Sequence, residues 1–201
     1  MANNFVNSFA SIVTAGEFYQ SNASDASTGP QTVYTANNGS SGVNSILVEL
    51  DAANTSSAGI TVSAFIQDTS STLGTVSSIA SSSDVATVTT ASAHGLKVGQ
   101  YVNVTGSTTN FVNGVYKVAS VPSTTTFTYA QNSGASNTSG ASGTIVIYKA
   151  YHIVKDAPVP SGSTLKIVAG QKIVLNSNDK VIAYASAATC DLIAGILQEV
   201  T

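Results

Sequence analysis

The sequence predicts an all-β protein: a β-sandwich, jelly-roll-like or immunoglobulin-like, with a small β-barrel domain inserted in one of its hairpins. Three observations lead there. Apolar side chains recur with a period of two, Gly, Asn, Asp and Pro punctuate the chain at the spacing of short strands, and two hydroxyl-rich stretches bracket a block with strands of its own. Nowhere does an apolar i, i+3, i+4 pattern last three turns. The best helical candidate, Asp191 to Glu199, carries Gly195 at its centre and β-branched neighbours, so it too reads as a strand.

Taken in order, the Phe5 to Val13 segment is apolar, and its Phe5, Val6, Phe9 and Ile12 are expected either to join a sheet or to meet a neighbouring copy. Ile46, Val48 and Leu50 alternate with Leu47, Glu49 and Asp51, which predicts a strand. Ile60, Val62, Ala64 and Ile66 alternate likewise with Thr61, Ser63, Phe65 and Gln67. Further strands are expected over Thr144 to Val154, Thr164 to Val168, Lys172 to Leu175, Lys180 to Ala185 and Leu192 to Val200. Pro158 and Pro160 remove two ladder donors, so Asp156 to Gly162 is expected to cross between sheets. Asn176-Ser177-Asn178-Asp179 reads as a hairpin turn rather than a calcium loop, for want of further ligands.

Around Thr69 to Thr75 and Asn132 to Gly143 almost nothing is apolar. The chain therefore divides into an outer sandwich of residues 1–69 and 144–201, an inserted module of residues 75–131, and linkers over 70–74 and 132–143. Within the module, strands are expected near Ala86 to Thr90, Tyr101 to Thr105, Val115 to Val121 and Thr126 to Tyr129. A hairpin tip is a cheap place for such an insertion, because both ends already lie close together.

Composition narrows the function. Charged residues are 8% of the 201, about a quarter of the chain is Ser or Thr, and all seven basic residues are Lys. With net charge −3 and no Arg for bidentate contacts, nucleic acid is not an expected partner. No apolar run reaches the roughly 18 residues of a membrane span, so no membrane is expected either. The opening Met1-Ala2-Asn3-Asn4-Phe5-Val6-Asn7 lacks the basic and apolar regions of a secretory signal, and synthesis in a cytoplasm is expected.

Candidate chemistry is sparse. His94, before Gly95, would need an acid or nucleophile such as Asp84 or Ser92 to catalyse hydrolysis; turn chemistry favours a structural role. His152 lacks metal ligands at a defined spacing, and the carboxylates are scattered, so no catalytic residue, metal or cofactor is expected. Cys190 reads as a small buried side chain. Tyr101, Tyr116, Phe127 and Tyr129 all fall in the module, either filling its interior or offering a face to a sugar or a protein.

The string Ala91-Ser92-Ala93-His94-Gly95-Leu96-Lys97-Val98-Gly99-Gln100-Tyr101-Val102-Asn103-Val104, followed by Phe111-Val112-Asn113-Gly114-Val115-Tyr116-Lys117-Val118 and Thr124-Thr125-Thr126-Phe127-Thr128-Tyr129, resembles a small β-barrel module. That module is similar to the first catalytic-cysteine half-domain of ubiquitin-activating enzymes, whose relatives recur in tailed-phage virion proteins. Cys190 lies outside it, so the resemblance implies a fold and a habitat without ubiquitin chemistry. Phe5 to Ala10, Val154 to Gly162 with Gly170 to Leu175, and the closing Ile196-Leu197-Gln198-Glu199-Val200 resemble small β-sandwich structural proteins of phage virions. Together these imply a non-enzymatic structural protein of a tailed-phage particle. It would be a head decoration protein located in the virion, with partners in itself as a homo-oligomer, a trimer being one form, and in major capsid or neck and tail proteins. A neck, tail or fibre position is the alternative. A different class is an adhesive module for host surface glycan, and a third is a hydrolase using His94 or His152.

Overall fold

The computed structural model describes residues 4–12, 30–36, 43–109, 112–131, 140 and 143–200. The protein is all-β. In chain order the strands are β1 (Asn4–Ile12), β2 (Gln31–Thr35), β3 (Asn44–Asn54), β4 (Ile60–Asp68), β5 (Val76–Ser82), β6 (Val85–Thr90), β7 (Tyr101–Ser107), β8 (Gly114–Ser123), β9 (Thr126–Ala130), β10 (Gly143–Val159), β11 (Thr164–Leu175), β12 (Lys180–Ala185) and β13 (Cys190–Val200). Among the described residues the helical content is one turn of 3-10 helix at Thr69–Ser71.

Two compact units share these strands. The first holds the described residues of 4–12, 31–69 and 151–200, and the second Pro30 and those between 70 and 150. In the first, one sheet runs β1-β13-β3-β11 and the other β2-β12-β4-β10, the latter using the Tyr151 half of β10. Numbered along this unit alone, the orders are first-eighth-third-sixth and second-seventh-fourth-fifth. That is the jelly roll, with two Greek keys, and it decides between the two sandwich types the alternation allowed. Every link but one switches sheets. Asn176 to Asp179 accordingly joins β11 to β12 in the opposite sheet, so it is an arch and not the hairpin turn expected. The exception is β4 to β10, hydrogen-bonded neighbours between which the second unit is threaded.

Pairing fixes the core. Leu47, Leu50, Ala52, Leu192, Ala194 and Ile196 from one sheet meet Val33, Val62, Ala64, Val181 and Ala183 from the other, all buried. The face expected for β3 is altered by a bulge: Gly195 pairs with Glu49 but Ile196 pairs with Leu47, leaving Val48 as the extra residue. Beyond it the parity reverses. Leu47 joins Leu50 inside, and Ile46 turns outward, away from the face it shared with Leu50 in the simple alternation.

The second unit runs β10-β7-β8-β9-β6-β5, with the Gly143 half of β10 at one edge. Its core is built around Ile79, Val88, Val102, Val104, Val118, Phe127, Tyr129 and Ile147. β8 changes partner along its length, from β7 up to Lys117 to β9 from Val118, with register shifts that curl the sheet. Six strands make up this sheet, and no strand pairing among the described residues closes it into the small β-barrel expected. The Leu73 amide donates to the Ile147 carbonyl at 3.0 Å, tying the segment before β5 to β10. The boundaries differ from those expected for this reason. Leu73, placed in a linker by its surroundings, is a core residue, and Gly143 to Ala150 pair with β7. The other expected linker, 132–143, lies outside the described residues apart from Gly140 and Gly143.

Three local devices hold these elements. Asp179, buried, accepts the Thr69 amide (2.9 Å) and hydroxyl (3.1 Å) on Oδ1 and the Asn176 amide (2.9 Å) on Oδ2, pinning the end of β4 to the arch. Gly106 (φ +80°) lets β7 and β10 touch backbone to backbone, since a Cβ there would stand 2.1 Å from the Thr144 carbonyl oxygen. Thr189 takes φ 72°, a left-handed conformation costly for a β-branched residue. It is held by its amide to the Ile12 carbonyl (2.6 Å) and by its carbonyl, which accepts the Thr55 amide (3.0 Å).

Positive φ therefore has opposite consequences at two sites. Thr189→Gly is expected to raise stability in urea by about 1 kcal/mol, strain relief exceeding the entropy glycine adds to the unfolded chain. Gly106→Ala is expected to cost about 3 kcal/mol or more. Equal stabilities for the two variants would contradict this reading of the backbone.

Candidate functional site

Three of the four aromatic residues nominated in the second unit are interior. Phe127 and Tyr129 lie two apart on β9, so both point to the same side, and both are fully buried; Tyr116 is buried and Tyr101 half-buried. Tyr116 and Tyr129 stack with centroids 4.1 Å apart, and His94 meets Phe127 edge-on at 5.2 Å. Of the two uses weighed for these aromatics, Tyr116, Phe127 and Tyr129 take the interior one, and a glycan has no access to rings that fill a core; Tyr101 is partly exposed. Burial pushes the Tyr129 phenol well above its ordinary range, and among the described residues its hydroxyl has no hydrogen-bond partner.

The residues nominated for chemistry are occupied locally. His94 Nδ1 accepts the Leu96 amide at 3.0 Å, across Gly95 at φ +61°, which is the turn role expected. Asp84 sits with Ser83 at the tip of the β5–β6 hairpin, both at positive φ, and its carbonyl accepts the Gln131 amide at 2.7 Å. The Ser92 carbonyl accepts the Thr90 hydroxyl at 2.7 Å. In the first unit His152 packs on Phe65 at 5.7 Å; burial and then Lys155 hold its imidazole below the ordinary range, against the opposing pull of Asp156. Cys190 is buried, and burial followed by the Asp191 charge pushes its thiol up to about 11. Among the described residues no three His, Cys, Asp or Glu gather to hold a metal ion.

What the structure does assemble is a surface. β1 pairs with β13 residue for residue, which sends Val6, Ala10 and Ile12 inward. Ile12 is a core residue and Val6 packs against that core, so half of the segment nominated for assembly serves the chain's own interior. Phe5 and Phe9 point outward, 73% and 69% exposed. Register carries their neighbours across the sheet: Phe5 lies beside Leu197, Leu197 beside Ile46, and Ile46 beside Val174, which is 57% exposed. A second row runs from Phe9 to Ile193, 42% exposed, and then to Asp51 and Lys166.

The outer face of β1-β13-β3-β11 is thus apolar at one end and charged toward β11. Lys166 lies 3.3 Å from Glu49 and 4.0 Å from Asp51. Burial raises the Asp51 carboxyl, with Lys166 acting in the opposite sense. Ile46, Val174, Ile193 and Leu197 were not nominated by the sequence. Ile193 and Leu197 alternate with the buried Leu192, Ala194 and Ile196 along β13, whereas the outward position of Ile46 is legible only once the bulge in β3 is known.

Tyr129 sets an alkaline limb of stability. Its pKa is raised on folding, so the unfolded chain loses the proton first, from about pH 10, and stability falls as pH rises beyond that value. Tyr129→Phe is expected to flatten this loss, about 1.4 kcal/mol per pH unit, and to add about 1 kcal/mol at neutral pH by removing a buried hydroxyl. Denaturant titrations at pH 7 and pH 11 measure both; an unchanged alkaline slope would contradict the assignment.

No family model, no curated protein and no solved structure matches the chain.

Proposed function

We propose that this chain is a non-enzymatic structural protein of a tailed-phage particle, of the head-decoration kind, which binds the particle and copies of itself through the outer face of the β1-β13-β3-β11 sheet. The observation that carries the reading is that face: Phe5, Phe9, Ile193 and Val174 exposed together, joined by Leu197 and Ile46. Contiguous exposed apolar surface of this kind marks sites of protein interaction. The jelly roll adds support by analogy, since capsid domains use it. The low charge fits a role in which many weak, repeated contacts sum to firm attachment. A neck or tail position would use the same face. The adhesive reading, which depended on an exposed aromatic platform in the second unit, loses that support with the burial of Tyr116, Phe127 and Tyr129.

Particles purified from the infection that produces this protein are the test. Quantitative mass spectrometry of separated heads and tails is expected to find the chain in fixed ratio to the major capsid protein. Recovery only outside particles would overturn the proposal, and recovery in tails would move the address while keeping the class. The Phe5→Ser/Phe9→Ser double variant is expected to stay folded and to bind particles at least about tenfold more weakly, as loss of central aromatic anchors does.

A further inference from the structure

β1 is the edge strand of its sheet. Among the described residues nothing pairs with its second edge, and its pairs with β13 run from Asn4 to Ile12 without a bulge. Edge strands are ordinarily blunted by charge, Pro or a bulge, because their free amides and carbonyls recruit another strand. Asn4-Phe5-Val6-Asn7-Ser8-Phe9-Ala10-Ser11-Ile12 has none of these. Its outward side chains read Phe5, Asn7, Phe9, Ser11, of which the first three are the same in either direction about Asn7.

We propose that β1 pairs antiparallel with β1 of a second copy about a two-fold axis at Asn7, making one continuous eight-stranded sheet from two four-stranded ones. In that register Phe5 of each copy faces Phe9 of the other, the two aromatic pairs flank an Asn7–Asn7 pair, and Val6 faces Ser8. A two-fold contact requires this self-complementarity, in which residue i meets j and j meets i. An axis at Ser8 would set Phe9 against Asn7 and Phe5 against Ser11. A shift of the pairing by one residue would oppose outward and inward side chains. The absence of charge on the strand leaves no like-charge repulsion across the axis.

Area decides how firmly the copies hold. Each ring contributes on the order of 150 Å² when fully covered, and side-by-side strands cover only part of it. With the strand edge, roughly 400–500 Å² is hidden per copy, against about 800 Å² in a standard stable interface. The dimer therefore depends on concentration, forming where copies are crowded and dissociating when dilute. This inference rests on reading the outer face of the sheet as an assembly surface.

The test places a thiol on the axis. The chain's own Cys190 is buried, so Asn7→Cys supplies one accessible sulfur, and opposed residues in an antiparallel pair bring Cβ atoms to about 4.5–5.5 Å, close to disulfide reach. Under mild copper-phenanthroline oxidation at high protein concentration, Asn7→Cys is expected to link into covalent dimers and Ser11→Cys, on the same face, is not. Light scattering of the unaltered chain is expected to rise from the mass of one chain toward two with concentration. Equal linking of both variants, or a mass that settles at three chains, would overturn the two-fold. Association without Asn7→Cys linking would overturn the register yet leave the assembly surface standing. A monomer at every concentration overturns the pairing, while the particle measurement separately decides the proposed function.

Discussion

The register of β13 between β1 and β3 is the constraint on which the rest depends. Because side chains alternate faces, placing Leu192, Ala194 and Ile196 inside commits Ile193 and Leu197 to the outside, and pairing with β1 then commits Phe5 and Phe9 with them. A bulge at Val48 shifts this parity in β3, and it turns Ile46 outward into line with Leu197 and Val174. A core and an exposed apolar face are thus two results of the same pairing. Neither can be altered alone, since a shift of one residue would bury Phe9 and expose Leu192.

Strand existence was legible in the sequence to a large degree, because period-two alternation bounded by Gly, Asn and Pro marks β3, β4, β6, β7, β8, β9, β10, β12 and β13, even where a bulge breaks its parity as in β3. β2 and β5 escaped notice: Gln31–Thr35 is short, and Val76–Ser82 is mostly Ser. The order of strands was not legible, since a turn such as Asn176 to Asp179 has the same composition whether it closes a hairpin or arches between sheets. What distinguishes them is the buried Asp179 bonded to Thr69, a contact spanning more than a hundred residues. A sheet in the second unit was foreseen, but its closure was not decided by local pattern; it depends on where β8 changes partner.

The candidate surface was half legible. Phe5 and Phe9 stood out as apolar residues on an alternating segment, yet Val6 and Ile12 look the same in sequence and serve the core. The aromatics of the second unit show the converse, since Phe127 and Tyr129 at i and i+2 must share a face, and that face is the inner one. Chemistry fared similarly: His94 and Asp84 are polar residues whose work is to hold turns. A chain with few charges and many hydroxyls spends them on local backbone bonds, as Ser56 and Asn54 do around the β3–β4 arch, and leaves apolar strand faces for recognition.

Hydroxyl-radical footprinting of dilute protein, read by mass spectrometry at single residues, tests this account most directly. Strong labelling of Phe5 and Phe9 with silence at Phe65, Phe127 and Tyr129 is the result the pairing register predicts. Protection of Phe5 and Phe9 in the isolated monomer, or labelling of Phe127 at a comparable rate, would contradict it, because either would put the wrong faces of β1 or β9 toward solvent.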